Sequence, residues 1–197
     1  MLNGKNSNGY GAAGRKSVKF PGSRNKGWRL PKISNSELWG NKINERNTNS
    51  ESKSEVADAV IHLLWSVDHR EWPCVISSFG PSVEVDYTSL SGVSPLIQRS
   101  EDLVSGWKKF LPGFNKTQHL AGPVLVKVEG NIASAWCAIT ATHTLGKERW
   151  IVGGHYEFGL ELKEQTWKIV RMKLETAYID GNTDLPRIAT ERLEANQ

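Results

Sequence analysis

The chain has 197 residues, 38% of them hydrophobic and 23% charged, a balance that excludes a fibrous or wholly disordered protein and suits one globular domain. Its net charge of +4 is uneven: the first 36 residues hold eight Lys or Arg and no acid, leaving 17 basic against 21 acidic groups, a net −4, in the remainder. No run approaches the roughly 18 apolar residues of a membrane span and the start lacks a secretory apolar core, so no membrane partner and a cytoplasmic location are expected.

Residues 1–52 are rich in Gly, Asn and Ser, with Pro21 and Pro31 interrupting any helical period, and read as a flexible basic extension. The acid-poor, Arg-containing start also fits an organelle transit peptide or a weak nucleic-acid tether. A solvated extension is the plainer reading, with no nucleic-acid partner.

A compact α+β domain is expected over 53–180. Ser52 and Glu55 form a capping-box signature ahead of a first helix, in which Val56, Val60 and Leu64 recur every four residues and Asp68 continues the series. Burying an unpaired carboxylate costs several kcal/mol or drives it neutral, so Asp68 requires a partner or a task. Pro73 suits the first turn of a second helix closed by Gly80. Ser82 to Leu90 then alternates, with Val83, Val85 and Tyr87 on one face of a strand. A third helix from about Glu101 carries Leu103, Val104, Trp107, Phe110 and Leu111 and ends at Pro112-Gly113.

Four long strands follow, Thr117 to Glu129, Ile132 to Leu145, Trp150 to Leu162 and Thr166 to Ala177, separated by short turns that impose antiparallel neighbours. Three helices on such a strongly bent, mixed or antiparallel sheet would enclose a cone-shaped α+β barrel. Residues 181–197 form a tail in which Pro186 opens a short polar helix through Leu193, one that needs a docking surface to persist.

Strand parity selects the side chains that see the interior. His143 shares its face with Cys137, Ile139 and Ala141, whereas His155 lies opposite the face of Val152, Tyr156, Phe158 and Leu160. His62 and His69 read as solvent-side. His119 precedes Gly122-Pro123, where a bulge can change facing, so its direction stays open. Cys74 and Cys137, without metal or redox spacing, read as reduced thiols. No His-x-His or His-Glu-x-x-His spacing occurs, so no metal is expected. Trp65, Trp72, Trp107, Trp136, Trp150 and Trp167 are mostly packing residues, with one or two lining a pocket for a planar ligand.

Asp68 with His119 or His143 has the makings of an acid–base site. A histidine removes a proton beside a carbonyl near neutral pH, and a carboxylate against its ring fixes the tautomer and stabilises the imidazolium. Tyr87 can hydrogen-bond the substrate oxygen, directly or through water. The plain counterpart is a structural Asp–His pair in the core.

The ordered set Ser66-Val67-Asp68-His69-Arg70-Glu71-Trp72, Val83 to Ser89, Thr117-Gln118-His119, Thr142-His143 and Trp167-Lys168-Ile169 resembles the SnoaL-like, scytalone dehydratase-like branch of the nuclear transport factor 2-like superfamily. The resemblance covers residues 55 to about 180. It implies an interior pocket open at one end, no cofactor, and a homodimer or homotrimer formed through the sheet. Asp68, Tyr87, His119 and His143 fall on positions resembling that branch's catalytic aspartate, water-holding tyrosine and two catalytic histidines. Val67 stands where a tyrosine is usual, and the polar pair of the third long strand is replaced near Tyr156 and Phe158. The resemblance therefore implies a dehydratase, cyclase or isomerase acting on a small aromatic or polyketide-like molecule other than scytalone. Trp65, Val67, Phe110, Ile139, Tyr156 and Phe158 are the expected pocket lining. The competing class is a non-catalytic ligand-binding or partner module of the same fold, in which Asp68 and the histidines would point away from one another.

Overall fold

The computed structural model describes residues 35–195, with side chains from residue 49 onward. The expectation of flexibility over residues 1–34 lies outside the described residues. Helix α1 runs from Asn35 to His69, so Ser52 and Glu55 sit within a helix and do not start one. The domain boundary expected at residue 53 falls inside this element.

Val56, Val60, Leu63, Leu64 and Val67 form the buried stripe of α1. Asp68 is not on it. Each four-residue step overshoots a full turn by about 40°, so three steps carry Asp68 roughly 120° around the helix from Val56. That places it at the flank of the buried face, where its side chain keeps 14% exposure. The helix ends at Arg70, which adopts the left-handed conformation at φ 58°, an uncommon one for a residue with a Cβ. Its guanidinium compensates by donating to the carbonyls of Phe114 at 2.7 Å and Leu111 at 3.3 Å.

Helix α2 (Trp72–Ser78) has Pro73 in its first turn and ends before Gly80, which belongs to strand β1 (Phe79–Asp86). Val83 and Val85 are buried as the alternation requires. The strand is shorter than expected: Tyr87 caps a four-residue helix, α3 (Thr88–Ser91), closed by Gly92 at φ 72°. A short edge strand, β2 (Leu96–Arg99), precedes helix α4 (Ser100–Lys108). The expected end at Pro112-Gly113 is instead a separate 3₁₀ turn, Leu111–Gly113.

The expected strand over 117–129 is two strands, β3 (Lys116–Ala121) and β4 (Leu125–Glu129), both antiparallel to β5 (Ile132–Leu145). Pro123, with no N–H to give the ladder, sits in the break. Strands β6 (Glu148–Lys163) and β7 (Thr166–Gly181) complete the meander. The sheet has seven strands in the order β2-β1-β7-β6-β5-β3, with β4 on the same edge of β5. It is mixed, since β1 runs parallel to β7. It is curved but open, so the cone is completed by helices and not by strand closure. Helix α5 (Leu185–Glu194) finds its docking surface by burying Leu185 and Ala189, at the 3₁₀ turn. A Cβ at Gly113 would collide with the carbonyl of Ala189. Cys137 is buried and Cys74 half-buried, both as free thiols. Among the described residues, no helix is long and apolar enough to cross a membrane.

Candidate active site

The pairing of β3 with β5 settles the direction of His119. It lies opposite Ala141, and Thr117 lies opposite His143, so these side chains share the inward face. Strand β5 alternates as expected, with Ala133, Ala135, Cys137, Ile139, Ala141 and His143 all buried. The two imidazoles come to 6.0 Å between centroids, edge to face.

Asp68 grips His119 with both oxygens. Oδ1 is 2.7 Å from the ring Nδ1, and Oδ2 accepts the His119 backbone N–H at 2.7 Å. Because Nδ1–H must donate to a carboxylate, the neutral ring carries its free lone pair on Nε2. Burial works against ionising Asp68, but the ring and backbone of His119 outweigh it and hold the carboxyl below its ordinary range. Arg70, two residues on, ties the end of α1 to the 3₁₀ region and so fixes the carboxylate's position. An arrangement with Asp68 and the histidines turned apart is therefore not what this chain adopts.

His143 is of a different kind. It is 5% exposed and packs between Phe114 at 4.9 Å and Trp150 at 4.7 Å. Its Nδ1 has no hydrogen-bond partner. Burial first, then the neighbouring His119, push its pKa down to about 4 against weaker pulls from the Trp150 backbone and Asp68. At neutral pH it is an uncharged ring, suited to hydrogen-bonding a ligand more than to collecting a proton.

Both histidines line a mostly apolar interior cavity of about 110 Å³. Val67, Tyr87, Phe110, Ile139 and Tyr156 line it too. Three sequence expectations need correction. Trp65 is not in the cavity: it is 59% exposed and stacks on His69 at 4.1 Å along an outer groove, because it lies on the opposite side of α1 from the buried stripe. Phe158 is fully buried but packs beside Tyr156, 5.2 Å between ring centroids, without reaching the cavity. Asp68 also does not line the cavity. It borders the outer groove, and His119 stands between that groove and the interior. Trp107, Trp150, Met172 and Leu174 line the cavity without having been singled out for it; nothing in their spacing separates a wall residue from a core residue. His62, His69 and His155 are exposed.

An engineered apolar cavity of about 150 Å³ holds one benzene, so this space matches a molecule of about one ring. Among the described residues, no group of three or more His, Cys, Asp or Glu is placed to hold a metal ion.

Residues 48–173 match the family model described as a SnoaL-like domain. No curated protein sequence matches the chain. Solved structures do. A Kribbella flavida protein superposes with a TM-score of 0.66 at 20% identity, covering 70% of this chain and 99% of its own. A Novosphingobium aromaticivorans protein, provisionally described as a scytalone dehydratase, gives 0.58 at 18% identity over 68% and 90%. The type 3 hexachlorocyclohexane dehydrochlorinase of Novosphingobium barchaimii gives 0.54 at 15% over 68% and 91%. At these identities the structures establish the shared cone fold, and the family match over residues 48–173 makes the chain a member of the SnoaL-like domain family.

Proposed function

We propose that the chain is a cofactor-independent acid–base enzyme, a lyase of the dehydratase kind or an isomerase or cyclase, acting on a small aromatic or polyketide-like metabolite. The observation that carries this reading is the Asp68–His119 pair at the wall of an apolar cavity. His119 Nε2 removes a proton next to a carbonyl, and Asp68 holds the tautomer and stabilises the imidazolium. His143, an uncharged ring on the cavity wall, orients the substrate. Two similar structures bear the names of eliminating enzymes, a dehydratase and a dehydrochlorinase, which agrees with proton abstraction as the common step.

The test is to incubate purified protein with metabolite extracts of a strain lacking it, comparing wild type with His119→Ala and His143→Ala. One metabolite should be consumed by wild type and spared by His119→Ala. Equal consumption by all three proteins refutes the catalytic assignment.

Assembly into a homodimer or homotrimer through the sheet belongs to the same proposal. Leu120, Leu125 and Trp136 support it, being 68%, 67% and 38% exposed on the outer sheet face, where an apolar cluster calls for a cover. Sedimentation of Leu125→Glu at lower mass than wild type is the expected outcome; a monomeric wild type contradicts it.

A further inference from the structure

The outer groove behind the Asp68–His119 pair is larger than the interior cavity, about 670 Å³, and the acid–base reading does not use it. Trp65 forms one wall. Its indole is exposed yet fixed: His69 lies against one ring face at 21°, and His69 Nδ1–H donates to the Trp65 carbonyl at 2.8 Å. The other face is left as a flat apolar platform, ordered before anything binds, so little freedom is lost when a ligand covers it. A second wall is sheet. Lys116 and Gln118 on β3 stand directly opposite Thr144 and Thr142 on β5, so the four side chains form two adjacent rows on the outer face. Among the described residues, the Gln118 amide and the Thr142 hydroxyl have no protein partner, and both line the groove. Charge narrows the ligand further. The ionised Asp68 carboxylate and the Lys116 ammonium both border the groove, so an anion is repelled by one and a cation by the other.

We propose that this groove is a second binding site, one that takes a neutral saccharide with a pyranose ring stacked on Trp65 and its hydroxyls on Gln118 and Thr142. A pyranose has the two surfaces the groove requires. The C–H groups on one side of the ring are apolar and slightly positive, and they fit the negative face of the indole. The ring hydroxyls each donate and accept, as the Gln118 amide and the Thr142 hydroxyl do. The site stands apart from the acid–base reading, since His119 separates the groove from the interior cavity. Both oxygens of Asp68 are already spent on His119, so the sugar is held by the indole and the two strands.

The test titrates three probes, methyl β-D-glucopyranoside, methyl β-D-galactopyranoside and methyl α-D-mannopyranoside, into the full chain, with binding followed by saturation-transfer NMR. At least one should bind wild type. Trp65→Ala removes the platform and should weaken that probe about tenfold or more. Thr142→Val removes one hydroxyl at constant shape and should weaken it about two- to tenfold, the worth of one hydrogen bond. Both variants should unfold at the urea concentration that unfolds wild type, which separates a lost contact from a lost fold. Binding of none of the three glycosides to wild type overturns the site. So does a glycoside that binds Trp65→Ala and Thr142→Val as tightly as wild type. Benzoate or benzamidine displacing the bound glycoside at equal concentration overturns the neutral ligand class.

Discussion

Acid should destabilise this protein through His143, in a pH window that can be assigned in advance. The ring is buried between Phe114 and Trp150, and its pKa falls from 6.5 to about 4 on folding. Between those values the unfolded chain binds a proton that the folded chain refuses. The stability this group allows is therefore fully present above about pH 6.5 and is lost as the pH falls toward 4. At about 1.4 kcal/mol per pH unit the loss sums to roughly 3 kcal/mol, a large share of the 5–15 kcal/mol typical of a domain. Asp68 has the same sign but acts lower: its carboxyl lies below its ordinary 3.8 in the fold, so its contribution is lost only as the pH drops beneath that value. Urea unfolding followed by tryptophan fluorescence at fixed protein concentration, from pH 7.5 to 4.5, measures the slope. His143→Leu removes the titrating ring and should flatten the curve by about 1.4 kcal/mol per pH unit within the window. Parallel curves for wild type and His143→Leu would refute the reasoning, whatever their absolute stabilities.

Other outcomes follow from single contacts. Asp68→Asn keeps the shape beside His119 but can set the wrong tautomer, and consumption of the responding metabolite should fall by about two to four orders of magnitude with little change in melting temperature. Trp65→Ala removes an exposed ring outside the cavity, and should change stability by less than about 0.5 kcal/mol in a urea titration and leave turnover intact. Gly113→Ala forces a Cβ against the Ala189 carbonyl; a cost of about 1–3 kcal/mol in thermal or urea unfolding is expected, together with faster amide exchange in α5 as its dock is lost.

Parity made much of this site legible in the sequence. A strict two-residue alternation assigned His143 to the apolar face and His155 to the face opposite the apolar one, because an unbroken strand offers no other choice. The same rule could not settle His119, since Gly122-Pro123 follows it closely; the ladder to β5 did. Helical periodicity was less exact. A four-residue interval approximates the helical period over one step and drifts by about 40° at each further one, which is why Asp68 is at the flank of α1 and not on its buried stripe. The capping box at Ser52 misled for a related reason: a local signature marks where a helix can begin, and α1 continues back to Asn35 through it.

Taken alone, the sequence determined the buried stripe of the first helix, the meander of long strands with its inward set, and the chemical types available for an acid–base site, because each of these depends on neighbours within a few residues. Only the tertiary structure decided which histidine Asp68 holds, that His143 is buried and neutral, and that Trp65 and Phe158 lie outside the cavity while Trp107 and Met172 line it. Those outcomes depend on sheet curvature and on contacts between residues far apart in the chain, 51 apart for Asp68 and His119 and 69 apart for Tyr87 and Tyr156. No local pattern encodes distances of that kind.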